Sequence, residues 1–130
     1  MFAHNHRCEC NGEKIGHRAI AAAFQFQYRE VQLTIANTGT ELLEKLTRLH
    51  PSVIFLDINM PEMDGWECLR VLKADPAFKD VPIIFYSTSN FQRDIDAASE
   101  LGAFRFITKP DRFQDLVEIL SRALKEIAKN

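Results

Sequence analysis

What is scarce in this sequence narrows it first. Its three cysteines, Cys8, Cys10 and Cys68, are an odd number in 130 residues. A disulfide framework is not expected, and a reducing cytoplasm is the fitting compartment. Tryptophan occurs once, and proline and glycine five times each, too few for a collagenous or linker-like chain. No apolar run approaches the length of a membrane span, and the N-terminus lacks the apolar stretch of a signal peptide, so no membrane partner is expected. An excess of one charge is lacking too. Sixteen Lys+Arg against eighteen Asp+Glu leave a formal net charge of −2, which offers no surface for nucleic acid.

What is there is enough to build a core: 46% of the residues are hydrophobic. The length fits one domain, and no linker or internal repeat divides it, so residues 1–130 are expected to form a single unit. The apolar period switches repeatedly along the chain. Residues 14–28 place Ile15, Ala19, Ala22 and Phe26 at helical spacing. Residues 31–36 alternate and read as a strand. Residues 38–49 read as a helix with Leu42, Leu43, Leu46 and Leu49 on one face; Thr38 with Glu41 offers a capping box, and His50-Pro51 ends it. "VIFL" (53–56) is a continuous apolar strand of the kind covered on both faces. A helix over 65–74, a strand over 81–87, a helix over 93–101 closed by Gly102, and a strand over 104–108 follow. A last helix from 112 to about 129 carries Phe113, Leu116, Val117, Leu120, Leu124 and Ile127 as one stripe. Alternating strands and helices predict an α/β domain with a parallel sheet wrapped by helices.

Sheets of this kind gather ligands at the carboxyl ends of their strands. Asp57 ends one apolar strand, Ser87 the next, and Thr108-Lys109 the last, so one edge should carry a carboxylate, hydroxyls and an ammonium. That set suits phosphoryl transfer. A carboxylate held by its strand serves as the nucleophile with little positioning entropy left to lose. Lys109 supplies positive charge and Ser87 or Thr88 a hydroxyl donor for the transferred group, and a hard dication such as Mg²⁺ completes the neutralisation. Each residue also has a plainer reading. Asp57 on its own is a strand-end turn residue, Asp64-Gly65 reads as a turn and helix cap and stays outside the site, and Trp66 reads as packing.

From residue 31 to the C-terminus the chain closely resembles the receiver domain of bacterial two-component response regulators. "IFLDINMPEMDGWECL" is similar to that family's phosphoacceptor strand and loop. "PIIFYSTSN" resembles the strand that ends in the switch Ser/Thr, and "GAFRFITKP" the strand that ends in the signature Lys-Pro. The resemblance implies a flavodoxin-like (βα)5 three-layer domain with a five-stranded parallel sheet of order 2-1-3-4-5. It implies Asp57 as phosphoacceptor, Asn59 giving its backbone carbonyl to Mg²⁺, and Ser87 and Lys109 meeting the phosphoryl group. It also implies a cis peptide before Pro110, Phe106 as a switch aromatic, and Asn59 and Ser89 as positions that tune phosphoryl lifetime. Phe106 read on its own stands between that switch and plain edge-strand packing. The implied function is a stand-alone receiver in phosphorelay signal transduction, not a conventional enzyme. A histidine kinase or histidine phosphotransfer protein donates the phosphoryl group, and an output protein reads the changed surface.

The family's first strand is apolar and ends in adjacent acids that hold the metal, whereas residues 1–13 here, "MFAHNHRCECNGE", are atypical. Counting back from the helix favours Glu13 as the metal acid, and reading "CECN" as a decayed acid stretch favours Glu9; both stay open. A central strand buries both faces, which "AHNHRCEC" does badly because polar groups buried without partners cost free energy. His4, His6, Cys8 and Cys10 alternate, but two-residue steps suit tetrahedral zinc poorly. The weak first strand supports an alternative function, a pseudo-receiver that binds partners without being phosphorylated. An Asp-nucleophile phosphohydrolase is disfavoured, because the second acid such enzymes use two residues on is Asn59 here.

Overall fold

The protein is described here by a computed structural model, covering residues 2–4, 32–34, 36–58 and 62–129. In chain order its elements are β1 (Phe2–His4), β2 (Gln32–Thr34), α1 (Gly39–Leu46), β3 (Val53–Leu56), α2 (Gly65–Ala74), β4 (Ile83–Ser87), α3 (Gln92–Glu100), β5 (Arg105–Thr108) and α4 (Phe113–Lys129). The helix expected over 14–28 lies outside the described residues. The strands form one sheet of order β2-β1-β3-β4-β5.

β3 and β4 are apolar because both of their faces are covered. Alternate residues divide between two cores, as the period of a strand requires. Val53, Phe55, Ile84, Tyr86 and Ile107 pack with Leu116, Leu120 and Ala123 of α4 on one face. Ile54, Leu56, Ile83 and Phe85 pack with Leu42, Leu46, Cys68, Leu69, Leu72 and Ala98, from α1, α2 and α3, on the other. This is the expected three-layer arrangement. The helices start and stop where their polar residues allow. Thr38 accepts a hydrogen bond from Glu41 N (3.0 Å), and the Glu41 carboxylate reaches back to accept from Asn37 N (2.9 Å), a capping box displaced by one residue. Gly102, at φ +96°, closes α3 in the left-handed region.

Two expectations need correction. β3, β4 and β5 are parallel, but β1 runs antiparallel to both β2 and β3, with Phe2 opposite Thr34 and Ile54, and Ala3 opposite Val53. The polar stretch from His4 onward is poorly suited to a central slot, and Phe2–His4 occupies that slot in the reverse sense. Phe2 rather than His4 therefore lies toward the Asp57 edge. Second, the peptide before Pro110 is trans, as is every described peptide bond, the isomer that X–Pro bonds favour intrinsically.

Candidate functional site

The three parallel strands bring their carboxyl ends to one edge. Asp57 follows β3 directly, and Ser87, the last residue of β4, pairs with Thr108 across the ladder. Lys109 N donates to Ser87 O at 2.7 Å, which extends the ladder one residue past β5 and fixes the backbone that carries the Lys109 side chain. Lys109 Nζ lies 3.3 Å from Asp57 Oδ2, with the two side chains only 20% and 11% exposed. A pair this sheltered is less screened by solvent and salt than a surface pair. The same ammonium lies 5.2 Å from the centroid of the Tyr86 ring. Burial, and then the Asp57 charge, push the Tyr86 hydroxyl up to about 12, so it stays neutral.

Ser87 is the buried polar residue among the described core. Its Oγ accepts from Ser89 N at 3.2 Å. Ser89 Oγ in turn accepts from Phe91 N (3.3 Å) and donates to Asp94 of α3, while Thr108 Oγ1 donates to Ser89 O (2.9 Å). The loop after β4 is thus tied at once to Ser87, to β5 and to the first turn of α3.

On the other side, α2 begins hard against the Asp57 loop. Asp64 caps it by accepting from Glu67 N (2.9 Å), which is the cap role expected of it. Gly65 N donates to Ile58 O at 3.0 Å. A Cβ at Gly65 would sit 2.4 Å from Asp57 O and 3.0 Å from Ile58 Cα, so only a glycine fits this approach. Trp66 packs on Phe85 with ring centroids 4.9 Å apart. Phe106, half-buried, stands 6.2 Å from the Phe85 ring and lines a groove of about 230 Å³ with Ile95, Ala98, Phe104 and Arg105.

Of the residues singled out in the sequence, Asp57, Ser87 and Lys109 meet at one edge, Thr88 is exposed beside them, and Phe106 lies further down β5. Asn59, Glu9 and Glu13 lie outside the described residues. Two contributors escaped sequence reasoning. Tyr86 reads as one more apolar residue of a buried strand. Gly65 reads as a turn residue, although Asp-Gly right after an acceptor loop is a signal that a backbone must come close. Among the described residues no group of three or more His, Cys, Asp or Glu could hold a metal ion. Among the described residues Asp57 supplies the hard carboxylate donor at the edge. That fits a dication that takes one or two carboxylates and keeps several waters, which is the habit of Mg²⁺. No helix among the described residues is long and apolar enough to cross a membrane.

Comparison with known proteins points to one family. The family model described as a response regulator receiver domain matches residues 13–121. A protein-glutamate methylesterase/protein-glutamine glutaminase of Methanococcoides burtonii is 36% identical over 95 residues, covering 71% of this chain but 26% of that protein; the chain spans about a quarter of that relative's length. The two-component response regulator ORR5 of Oryza sativa subsp. japonica is 32% identical over 97 residues, covering 74% of this chain and 72% of ORR5. Among solved structures, the phosphorylated cyanobacterial phytochrome response regulator RcpA superposes with a TM-score of 0.77 at 27% identity, covering 92% of this chain and 90% of that one.

Proposed function

The chain belongs to the response regulator receiver family, phosphoacceptors of phosphorelay signal transduction, and from that premise we propose that Asp57 is its acceptor, with residues 1–130 forming one receiver domain whose segment 1–13 is atypical. The observation that carries the reading is the sheltered Asp57–Lys109 pair at 3.3 Å, set beside a buried Ser87 hydroxyl. An Asp57 oxygen attacks the donor phosphorus. The new O–P bond forms as the donor's bond to phosphorus, P–N in a phosphohistidine or P–O in an acyl phosphate, breaks and its electron pair leaves with the donor. Lys109 then turns from the carboxylate to a phosphoryl oxygen, and Ser87 Oγ leaves Ser89 N to donate to another. The donor is a histidine kinase or histidine phosphotransfer protein of the cytoplasm. Phe106, bordering a groove and close to Phe85, is the switch aromatic, and the surface around it is read by an output protein.

Mg²⁺ is the metal such an edge would take: Asp57, the Asn59 backbone carbonyl and Glu13 or Glu9 would hold it, and it would supply neutralising charge to the transferred oxygens. The sequence offers at most Glu9 or Glu13 in place of the adjacent first-strand acids of the family, so fewer carboxylates meet the dication and Mg²⁺ binding should be weak. Intact mass after incubation with acetyl phosphate tests the reading. The protein should gain one phosphoryl group, faster as Mg²⁺ is raised and without saturating at low concentrations. No gain at any Mg²⁺ concentration would instead favour the pseudo-receiver.

Lys109→Ala should keep its circular dichroism spectrum while phosphoryl labelling slows by about tenfold or more, the effect of losing one charge-assisted contact to developing charge. Unchanged labelling would remove Lys109 from the site.

A further inference from the structure

Besides Asp57, the Lys109 ammonium has the Tyr86 ring as a neighbour. Tyr86 points from β4 into the core under α4, is 4% exposed, and presents its ring 5.2 Å from Lys109 Nζ. Nζ is thus near both a carboxylate that follows β3 and an aromatic ring on β4.

Resting on the reading of Asp57 as acceptor, we infer that Tyr86 is a positioning residue for phosphoryl transfer, whose ring holds the Lys109 ammonium in line with Asp57 before the donor arrives. Three facts carry this. First, lysine ends in a mobile four-carbon stem whose freedom is costly to lose at the moment of reaction. The backbone bond from Lys109 N to Ser87 O fixes only where the stem starts. Second, an ion pair alone confines the ammonium to a shell around the carboxylate oxygens. A ring face on a different strand attracts the same cation, and in a sheltered site that attraction is stronger than at a surface. Two attractors on different strands define a position where one would leave an arc. Third, the Tyr86 hydroxyl remains neutral, because burial pushes it up to about 12. It carries no charge at neutral pH, so the attraction this side chain exerts on the ammonium is that of its ring. When the phosphoryl group arrives, Lys109 needs to move only from carboxylate to phosphoryl oxygen while keeping its contact with the ring.

The test pairs two substitutions with a second background. Tyr86→Leu keeps an apolar filler and removes the ring; Tyr86→Phe keeps the ring and removes the hydroxyl. Labelling by acetyl phosphate should slow about three- to tenfold in Tyr86→Leu, the size of one sheltered cation–π contact, and should stay within about twofold of wild type in Tyr86→Phe by the same reasoning. In a Lys109→Ala background, Tyr86→Leu should cause no further slowing. Circular dichroism establishes that each variant is folded. The Lys109 ε-methylene proton shifts, moved by the ring current in wild type and Tyr86→Phe but not in Tyr86→Leu, read the contact without any phosphorylation. Equal slowing by Tyr86→Leu in both backgrounds, or failure of Tyr86→Phe to restore the rate, would show a merely structural role and overturn the inference. If wild type labels and Tyr86→Leu labels equally fast, this inference alone fails. If wild type takes no phosphoryl group, the reading of Asp57 fails and this one with it.

Discussion

Asp57→Asn should take no phosphoryl group from acetyl phosphate under conditions in which the wild type is labelled. The change is nearly isosteric, so the loss should come from chemistry alone. An amide oxygen carries no full charge and is a far weaker nucleophile than a carboxylate oxygen. It is also a poorer ligand for a hard dication. The fold has little reason to respond. The Asn oxygen still accepts a hydrogen bond from Lys109 Nζ, which lies 3.3 Å from Asp57 Oδ2, so the ammonium keeps a partner, and stability should change by no more than about 1 kcal/mol. A melting curve close to wild type, beside an unlabelled mass spectrum, is the expected pair of results. Wild-type labelling of the variant would mean that another carboxylate, such as Asp64 at the start of α2, is the acceptor.

That expectation was within reach of the sequence because strand-end residues are legible when their strands are. β3 and β4 are buried on both faces, so every position is apolar and the first polar residue announces the end of the strand. Asp57 and Ser87 stand out for that reason, and parallel strands carry such ends to one edge without any further information. The direction of β1 was not legible. Phe2–His4 is three residues long, too short for a period to emerge, and its antiparallel pairing is set by tertiary fit. Contacts that depend on which way a side chain leans were equally hidden. Tyr86 belongs to the apolar run of β4, and no spacing rule says that its ring will face Lys109. The bond from Thr108 Oγ1 to Ser89 O joins the loop after β4 to the end of β5, nineteen residues on, beyond any local pattern. Asn59, Glu9 and Glu13 remain as the resemblance names them, since they lie outside the described residues.

Gly65→Ala should be the most destabilising of these substitutions and should disturb the site together with the fold. In an ordinary helix the exchange would help, since alanine is favoured over glycine by up to about 1 kcal/mol. Here the added methyl would lie 2.4 Å from Asp57 O, 2.9 Å from the Phe85 ring and 3.0 Å from Ile58 Cα. Two of those neighbours are backbone atoms of the acceptor loop, which cannot turn aside as a flexible side chain can. Relief requires α2 to draw back, at the expense of the Gly65 N to Ile58 O hydrogen bond and of packing by Cys68 and Leu69, both fully buried. Overpacking of this kind costs roughly 1–3 kcal/mol and sometimes more, and the lost hydrogen bond adds about 1 kcal/mol. Set against the propensity gain, a net loss of about 1–3 kcal/mol is expected, which for a domain of this size lowers Tm by roughly 3–12 °C. Gly102→Ala provides the contrast. Its added methyl meets nothing closer than the Lys73 side chain at 3.5 Å, so only the strain of φ +96° remains, about 1–2 kcal/mol. Denaturant melts should therefore rank Gly65→Ala below Gly102→Ala. Only the first should also slow phosphoryl labelling of the molecules that remain folded, because it displaces the Asp57 backbone. A Gly65→Ala protein as stable and as readily labelled as wild type would mean that α2 does not begin against the acceptor loop in solution.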